Sequence, residues 1–436
     1  MQIIIAGAGK VGFLLAKTLS IGHNVTIIDK NEAALRRIQE SLDILPLRGD
    51  AEESATYERF KEERIDLFIA VTNIDNVNLI ATMIATSVLS IERTFVRLQR
   101  RFQEAFIIKE RLGVDKVIFP INLAAKGVAS LLHYPKANNV KLFKYTKHKL
   151  VSIRVSQAFK SATIISDYFI KVGIERDKSF FIPQKETPVQ AGDLLYLFGD
   201  ETHIKKVCKK LEYDTRAIER CVVYGGGDLG VLIAQSLIEM GRSVKVIEKD
   251  LALCERADEL LGGKASVINA KYDAHELFEE ENLDRADLFI ATSDNDEFNI
   301  IKCLEAKERG IKKIVAINND MEYYNLMHAQ GIVVVRGPKI SAYNKIMEEV
   351  SSSNIVIQKW FCGQKAVVFM RKIFADSHLI DKKIKPLAKT DVKLAYIRDE
   401  RLRRFEESID LQEGDIIVAF GASQESAKLK RWIYGL

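Results

Sequence analysis

The chain has 436 residues, a length of about two to four domains, and its 47% hydrophobic and 29% charged residues suffice for packed cores throughout. Its formal charge of +5, from 65 basic and 60 acidic residues, is spread along the chain; this is too weak to direct nucleic-acid binding and leaves only a modest pull toward anionic surfaces. Cys208, Cys221, Cys254, Cys303 and Cys362 are odd in number and form no CxxC, no run reaches the roughly 18 apolar residues of a membrane span, and the start runs straight into a strand, so a soluble, intracellular protein with reduced thiols and no signal peptide is expected.

In chain order, the first 120 residues alternate short apolar strands with helical patterns. Strands are predicted over 3–6, 25–28, 44–47, 67–71, 94–98 and 116–119, the last closed by Pro120. Helices are predicted over 11–20, 31–41, 52–62, 75–89 and near 103–112. Near-continuous apolar strands in such an alternation mean a parallel sheet covered on both faces. From about 141 to 211 the rhythm changes to short strands among turns, at 151–155, 180–183 and 194–198, with a helix over 203–211: a small α+β module. A second wound unit follows over about 219–338, and a second compact module from about 354 to the end. Amphipathic helices at 122–133 and 339–350 hold the same place in each half, and pack either on their own domain or on another repeat or subunit.

The chain is therefore a duplication. GAGKVG at Gly7 and GGGDLG at Gly225 each follow an apolar strand, 218 residues apart, and 218 is half of 436. Gly192-Asp193 and Gly414-Asp415, each before an apolar strand, are 222 apart; these pairs read as tight turns, with a cation site at Asp193 or Asp415 as the alternative. The fold class is α/β, with two tandem Rossmann-like parallel-sheet domains, each followed by a small α+β subdomain, over 1–135, 136–216, 217–350 and 351–436. A duplication with nothing left over leaves no separate catalytic domain.

In a strand–turn–helix, Gly7 permits the tight turn, Gly9 lets a phosphate approach the backbone, and Gly12 lets helix and strand pack closely. The amides of this turn, through Ala8, Lys10 and Val11, and the positive helix end would then hold a diphosphate. Asp29, followed by Lys30, lies 17 residues past Gly12, placed for both hydroxyls of an adenosine ribose; a carboxylate there repels a 2′-phosphate and favours NAD(H), ATP or ADP over NADP. Gly49, Asp50 and Ala51 follow the third strand, on the base or ribose side. Thr72, Asn73 and Asp75 follow the fourth, with Asn78 one turn into the helix, and Thr72 or Asp75 serves either the site or a helix cap. Arg97 ends the fifth strand, as a clamp for a terminal phosphate or as one half of a surface ion pair.

The second repeat keeps Gly225, Gly227 and Gly230, with Asp228 and Leu229 between them, and the acid Glu248 18 residues past Gly230. Ser293, Asp296 and Asn299 match Thr72, Asp75 and Asn78. Ala270-Lys271 stands at Gly49-Asp50, and Ala316 is expected to replace Arg97, so this crevice would bind weakly, bind another nucleotide, or bind nothing. There is no HExxH, no Walker A sequence and no Tyr-x-x-x-Lys pair, and the seven histidines are scattered.

On GAGKVG with Asp29, Arg48-Gly49-Asp50, residues 72–78, Arg97, Leu112-Gly113-Val114-Asp115 before Pro120, and the two Gly-Asp endings, the chain resembles the TrkA family. These are regulatory subunits of Trk-type potassium uptake systems, built from two tandem RCK (KTN) domains. The resemblance spans essentially the whole chain and implies a non-enzymatic, cytoplasmic homo-oligomer, a dimer or tetramer forming an RCK ring. It would be peripheral on the inner face of the membrane through a Trk-type potassium transporter. The same resemblance assigns Gly7, Gly9, Gly12, Asp29, Asp50, Thr72 and Arg97 to a first nucleotide site, and Gly225, Gly227, Gly230 and Glu248 to a second. The alternatives are an NAD-dependent oxidoreductase and a regulator of a potassium efflux channel or antiporter.

Overall fold

The computed structural model describes residues 1–99, 110, 112–132, 134, 137–155, 168–184, 186–210, 218–270, 277–350, 356–387 and 391–436. The first wound domain consists of β1 (Gln2–Ala6), α1 (Lys10–Leu19), β2 (Asn24–Asp29), α2 (Glu32–Ser41), β3 (Leu45–Arg48), α3 (Ala55–Glu58), β4 (Leu67–Ala70), α4 (Asp75–Val88), β5 (Thr94–Arg97) and β6 (Lys116–Ile118). Its six parallel strands run in the order β3-β2-β1-β4-β5-β6. The order reverses between β1 and β4, which opens a crevice beyond their carboxyl ends. Ile3 and Ile5 face Leu15, Leu19 and Ile38 on one side of the sheet, while Ile4 and Ala6 face Tyr57, Phe68 and Ala85 on the other. This two-sided burial is why the strand is apolar without alternation.

Two expectations change here. The helix expected over 52–62 shrinks to Ala55–Glu58. The Asp50 carboxylate accepts from the Glu52 amide and the Asp50 carbonyl from the Thr56 hydroxyl, and the amides of Phe60, Lys61 and Glu63 bond three residues back, so the segment is a train of tight turns. The helix expected over 122–133 begins two residues earlier, at the Pro120 that closes the sixth strand, as α5 (Pro120–Leu132), where the missing proline N–H costs nothing. The helix expected near 103–112 falls largely outside the described residues.

The first module has β7 (Ala137–Phe143), β8 (Thr146–Arg154), β9 (Phe169–Arg176), β10 (Ser179–Phe181), β11 (Leu194–Gly199) and α6 (Glu201–Lys210). Its antiparallel order is β10-β9-β11-β8-β7. Of these strands β7 and β9 are not legible in the sequence: β7 is an edge strand with Asn138, Asn139 and Lys141, and β9 carries a bulge at Val172, next to Gly173, where an added Cβ would lie 2.1 Å from the Phe180 ring.

The second wound domain repeats the first: β12 (Arg220–Tyr224), α7 (Asp228–Glu239), β13 (Ser243–Glu248), α8 (Leu251–Leu261), β14 (Ser266–Asn269), α9 (Leu277–Glu280), β15 (Leu288–Ala291), α10 (Asp296–Glu308), β16 (Lys313–Asn318), α11 (Tyr324–Ala329) and β17 (Val333–Arg336). The strand order β14-β13-β12-β15-β16-β17 matches that of the first domain. After α12 (Pro338–Val350) comes the second module, with β18 (Val356–Phe361), β19 (Ala366–Lys372), β20 (Val392–Arg398), β21 (Arg401–Arg404), β22 (Ile416–Ala422) and α13 (Ser426–Tyr434), in the order β18-β19-β22-β20-β21.

The chain forms two compact units: residues 1–126 with 336–350, and residues 127–335 with 351–436. In the first unit α12, although it follows the second wound domain in sequence, closes the first domain's core. Ala342, Ile346 and Val350 join Leu15, Leu19 and Val25, the Tyr343 and Thr18 hydroxyls lie 2.9 Å apart, and Glu349 pairs with Lys116 at 3.2 Å. Of the two packings open for this helix, the one on the other repeat is realised. In the second unit the two modules share one core, in which Tyr196 and Phe198 meet Phe361, Val418 and Phe420. Each Gly-Asp turn is locked by an arginine: Asp193 holds Arg176 through two bonds of 2.8 Å, and Asp415 holds Arg398 through bonds of 2.9 and 2.7 Å. Both carboxylates are thus committed to ion pairs and to the Gln190 and Gln412 amides, which favours the turn over the cation site.

Candidate functional site

The glycines of the first turn divide their work as their spacing requires. Gly7 has φ +112°, and an added Cβ would lie 2.9 Å from the Thr72 amide nitrogen. A Cβ on Gly12 would lie 1.8 Å from the Gly7 carbonyl oxygen, so only glycine lets α1 pass so close to β1. Around Gly9, in contrast, an added Cβ meets nothing within 4 Å, leaving open space at the helix N-terminus. Gly7, Gly9, Asp29, Asn31, Ala34, Val71, Thr72 and Asn73 line a cavity of about 210 Å³ there.

At the end of β2, Asp29 accepts from the Ala8 amide at 2.6 Å and from the Asn31 amide at 2.8 Å, bridging the two turns that flank the cavity. Each carboxylate oxygen keeps a further lone pair for a ribose hydroxyl. Asn31 and Ala34 are lining residues that the motif did not name; the signal available was Asn31 as cap of α2, its side chain accepting from Ala34 at 3.2 Å.

The remaining expected residues separate into those at the cavity and those behind it. Ala8, Val11 and Ala51 are buried in the core and offer only backbone, Lys10 opens α1 and Lys30 follows β2, neither lining the cavity, and Gly49 and Asp50 continue beyond β3, the Gly49 amide on the Asp29 carbonyl at 3.2 Å. Thr72 and Asn73 line the cavity. Asn78 does not: it is fully buried, and its side chain bonds the Thr72 amide, hydroxyl and carbonyl as well as the Arg97 carbonyl, clamping the loop. Asp75 is absent from the cavity lining, the residue before it caps α4 without a side-chain bond, and its own carboxylate accepts from the Gln99 amide at 2.8 Å.

Arg97 is corrected as well. Its surface-ion-pair alternative is overturned by 5% exposure, and it is not among the cavity's lining residues. Its guanidinium donates to Asn73 Oδ1 at 3.1 Å and to the carbonyls of Thr72 and Val71 at 3.4 and 3.5 Å, buttressing the cavity wall from behind. Arg97→Ala should therefore weaken NAD and ATP by the same factor, the loosened wall costing about 1–3 kcal/mol. Titration of both ligands checks this, and a loss confined to ATP would instead put the guanidinium on a terminal phosphate.

The second repeat reproduces the framework and alters the lining. Gly230 stands 1.8 Å, by its added Cβ, from the Gly225 oxygen, and Asn299 clamps Ser293 as Asn78 clamps Thr72. Asn299 also bonds the Ile317 carbonyl where Asn78 bonds that of Arg97, and Ala316 pairs with Ala291 as Val96 pairs with Ala70. The counterpart of Arg97 is thus Ile317, not Ala316; the one-residue slip arises because neighbouring apolar strand residues carry no register mark. Glu248 is the more saturated acid, accepting from the amides of Gly226, Lys249 and Asp250 at 2.7, 2.7 and 2.9 Å. Its longer side chain takes the space of the Ala8 methyl, for an added Cβ on Gly226 would lie 2.9 Å from the Glu248 Cβ and 3.1 Å from its Cγ. Asp228 at the start of α7 pairs with Arg256 at 2.5 Å, Leu229 is buried, and Tyr224 with Phe298 and Lys302 fills the region beside the turn. Ala270 donates its amide to the Glu248 carbonyl; Lys271 lies outside the described residues.

A family model, the TrkA-N domain, matches twice, over residues 3–120 and 221–338. The chain belongs to the TrkA-N family. Both TrkA-N matches coincide with the glycine-turn domains, so the duplication and the Rossmann-like fold class stand as expected. The chain is 28% identical over 440 residues to a "Trk system potassium uptake protein TrkA homolog" of Archaeoglobus fulgidus, with 99% of each covered. It is 28% identical over 374 residues to the "Trk system potassium uptake protein TrkA" of Vibrio alginolyticus, covering 82% of this chain and 80% of that one. Among solved structures, "GsuK channel bound to NAD" matches with a TM-score of 0.61 at 16% identity, over 100% of this chain and 79% of that chain, a likeness of fold. Among the described residues no helix is long and apolar enough to cross a membrane, and no group of three or more His, Cys, Asp or Glu side chains is placed to hold a metal ion.

Proposed function

We propose that this chain is a nucleotide-sensing regulatory subunit of a Trk-type potassium uptake system, with the first TrkA-N repeat as the reader. The observation that carries this reading is the cavity of that repeat, where an open glycine turn, a helix N-terminus and the Asp29 carboxylate converge. The turn would take the diphosphate and Asp29 the ribose hydroxyls of NAD(H) or of ATP and ADP. The chain's full-length likeness to TrkA proteins and the NAD in a structural neighbour's printed name support the ligand class and the setting. Several chains would form a ring in the cytoplasm, docked on the membrane transporter, and a nucleotide that prefers one ring geometry would gate uptake by its differential affinity.

Calorimetric titration of the full chain with NADH, NAD, ATP and ADP tests the reading. Binding near one site per chain is expected, and Asp29→Ala should weaken each adenosine ligand by about 1–3 kcal/mol, roughly 5- to 150-fold, by leaving ribose hydroxyls unpaired. Two sites per chain would add the second repeat to the reader. Absence of binding would overturn the sensor, and NADH turnover with hydroxy acids or sugars would favour an oxidoreductase.

A further inference from the structure

The second unit contains a polar cluster that the nucleotide reading leaves unused. It lies where three parts of that unit meet: α11 of the second TrkA-N domain, the β8 and β9 strands of the first module, and the β18–β19 turn of the second module. His328 on α11 places Nε2 3.3 Å from the Arg154 guanidinium and 3.9 Å from Glu175 Oε2. Glu175 is 7% exposed and takes Lys365 on its other oxygen at 2.6 Å. The Cys362 thiol of the same turn lies against Glu175 and the Tyr196 hydroxyl, and Tyr324 stacks on His328 within α11. A Cβ added to Gly363 would lie 3.1 Å from the Tyr324 ring and 3.3 Å from Asn325 Oδ1, so this turn runs close against α11.

The internal repeat argues that the cluster is no requirement of the architecture. Arg176 and Arg398 are equivalent through their ion pairs with Asp193 and Asp415, so the residue before each is equivalent too; Glu175 therefore has Ile397 as its counterpart, an apolar residue buried in the shared core. The same position is stable as a hydrocarbon in one module and carries a buried carboxylate beside His328 and Lys365 in the other. Buried ionic groups that an apolar residue can replace call for a reason other than stability.

We propose that His328 is a proton-operated latch that fastens the second TrkA-N domain to the two small modules and releases it on mild acidification. The neutral ring, with its proton on Nδ1, accepts the Arg154 N–H at Nε2. A proton taken from solvent at Nε2 removes that acceptor and sets a third cation beside Arg154 and Lys365, with Glu175 as the carboxylate that His328 and Lys365 share. Burial lowers the His328 pKa below its ordinary 6.5, and the cations Arg154 and Lys365 outweigh nothing of that shift but add to it, against the opposing pull of Glu175. Because the docked form has the lowered value, its contribution to docking is complete above about pH 6.5 and is lost as the pH falls through the lowered value.

Hydrogen–deuterium exchange on the full-length protein, at pH about 7.5 and about 5.5 and corrected for intrinsic rates, tests the latch. Amides of residues 324–329 and 362–365 should exchange about tenfold faster in acid, while His328→Gln, which keeps an acceptor for Arg154, should abolish the difference. Where the variant's fold is in question, Arg154→Gln supplies the check: losing one facing cation should move the midpoint of the exchange change to higher pH. Exchange in the native protein that is indifferent to pH, an equal response in His328→Gln, or an unmoved midpoint in Arg154→Gln would overturn the proposal. No readout involves a nucleotide, so failure here leaves the sensor reading standing.

Discussion

Gly12→Ala should destabilise the first wound domain by about 3 kcal/mol and abolish nucleotide binding there, because its methyl would lie 1.8 Å from the Gly7 carbonyl oxygen and β1 and α1 would have to part. Gly9→Ala separates this structural cost from the functional one. Its methyl meets no atom, so the melting temperature should stay within a degree or so of the native value, yet the methyl occupies the space a phosphate needs. Differential scanning calorimetry with and without NADH measures both effects. A Gly9→Ala protein that binds normally would move the phosphate away from this turn, and a Gly12→Ala protein of native stability would contradict the close approach itself.

Ile346→Ala is expected to cost the first unit about 2–5 kcal/mol, the range for emptying a well-packed aliphatic site, although residue 346 follows the second wound domain in sequence. The two tryptophans, Trp360 and Trp432, both belong to the second unit. Tryptophan fluorescence therefore follows that unit alone, while far-ultraviolet circular dichroism follows both. In urea the variant should show an earlier dichroism transition with the fluorescence transition unmoved. A shift of the fluorescence transition instead would assign α12 to the second unit.

Long-period features were legible in the sequence, because a glycine turn between an apolar strand and an amphipathic helix admits few alternatives. The duplication, both wound sheets and the Gly7–Asp29 pairing belong to this class. What was hidden depends on partners distant in sequence. Asn78 and Asp75 carry the polar character of ligand contacts, and only the fold turns the first into a clamp for Thr72 and the second into a tie to Gln99. Arg97 reads as a phosphate clamp until burial behind the Thr72–Asn73 loop is seen. The Gly226–Glu248 exchange for Ala8–Asp29 trades one methylene between positions 22 and 21 apart, a compensation that becomes visible only when the two turns face each other. The edge strand β7 and the bulged β9 lack the alternation that would announce them.

The place of α12 also bears on how the protein is made. A ribosome delivers the chain from the amino terminus, so α1 emerges long before the helix that covers Leu15 and Leu19. Until residue 350 has been synthesised, the first domain carries an uncovered apolar stripe through the whole production of the first module and the second wound domain. The first wound domain, translated ahead of the first module and the second wound domain, thus finishes folding only after them, and its completion waits on a segment that follows both in the chain.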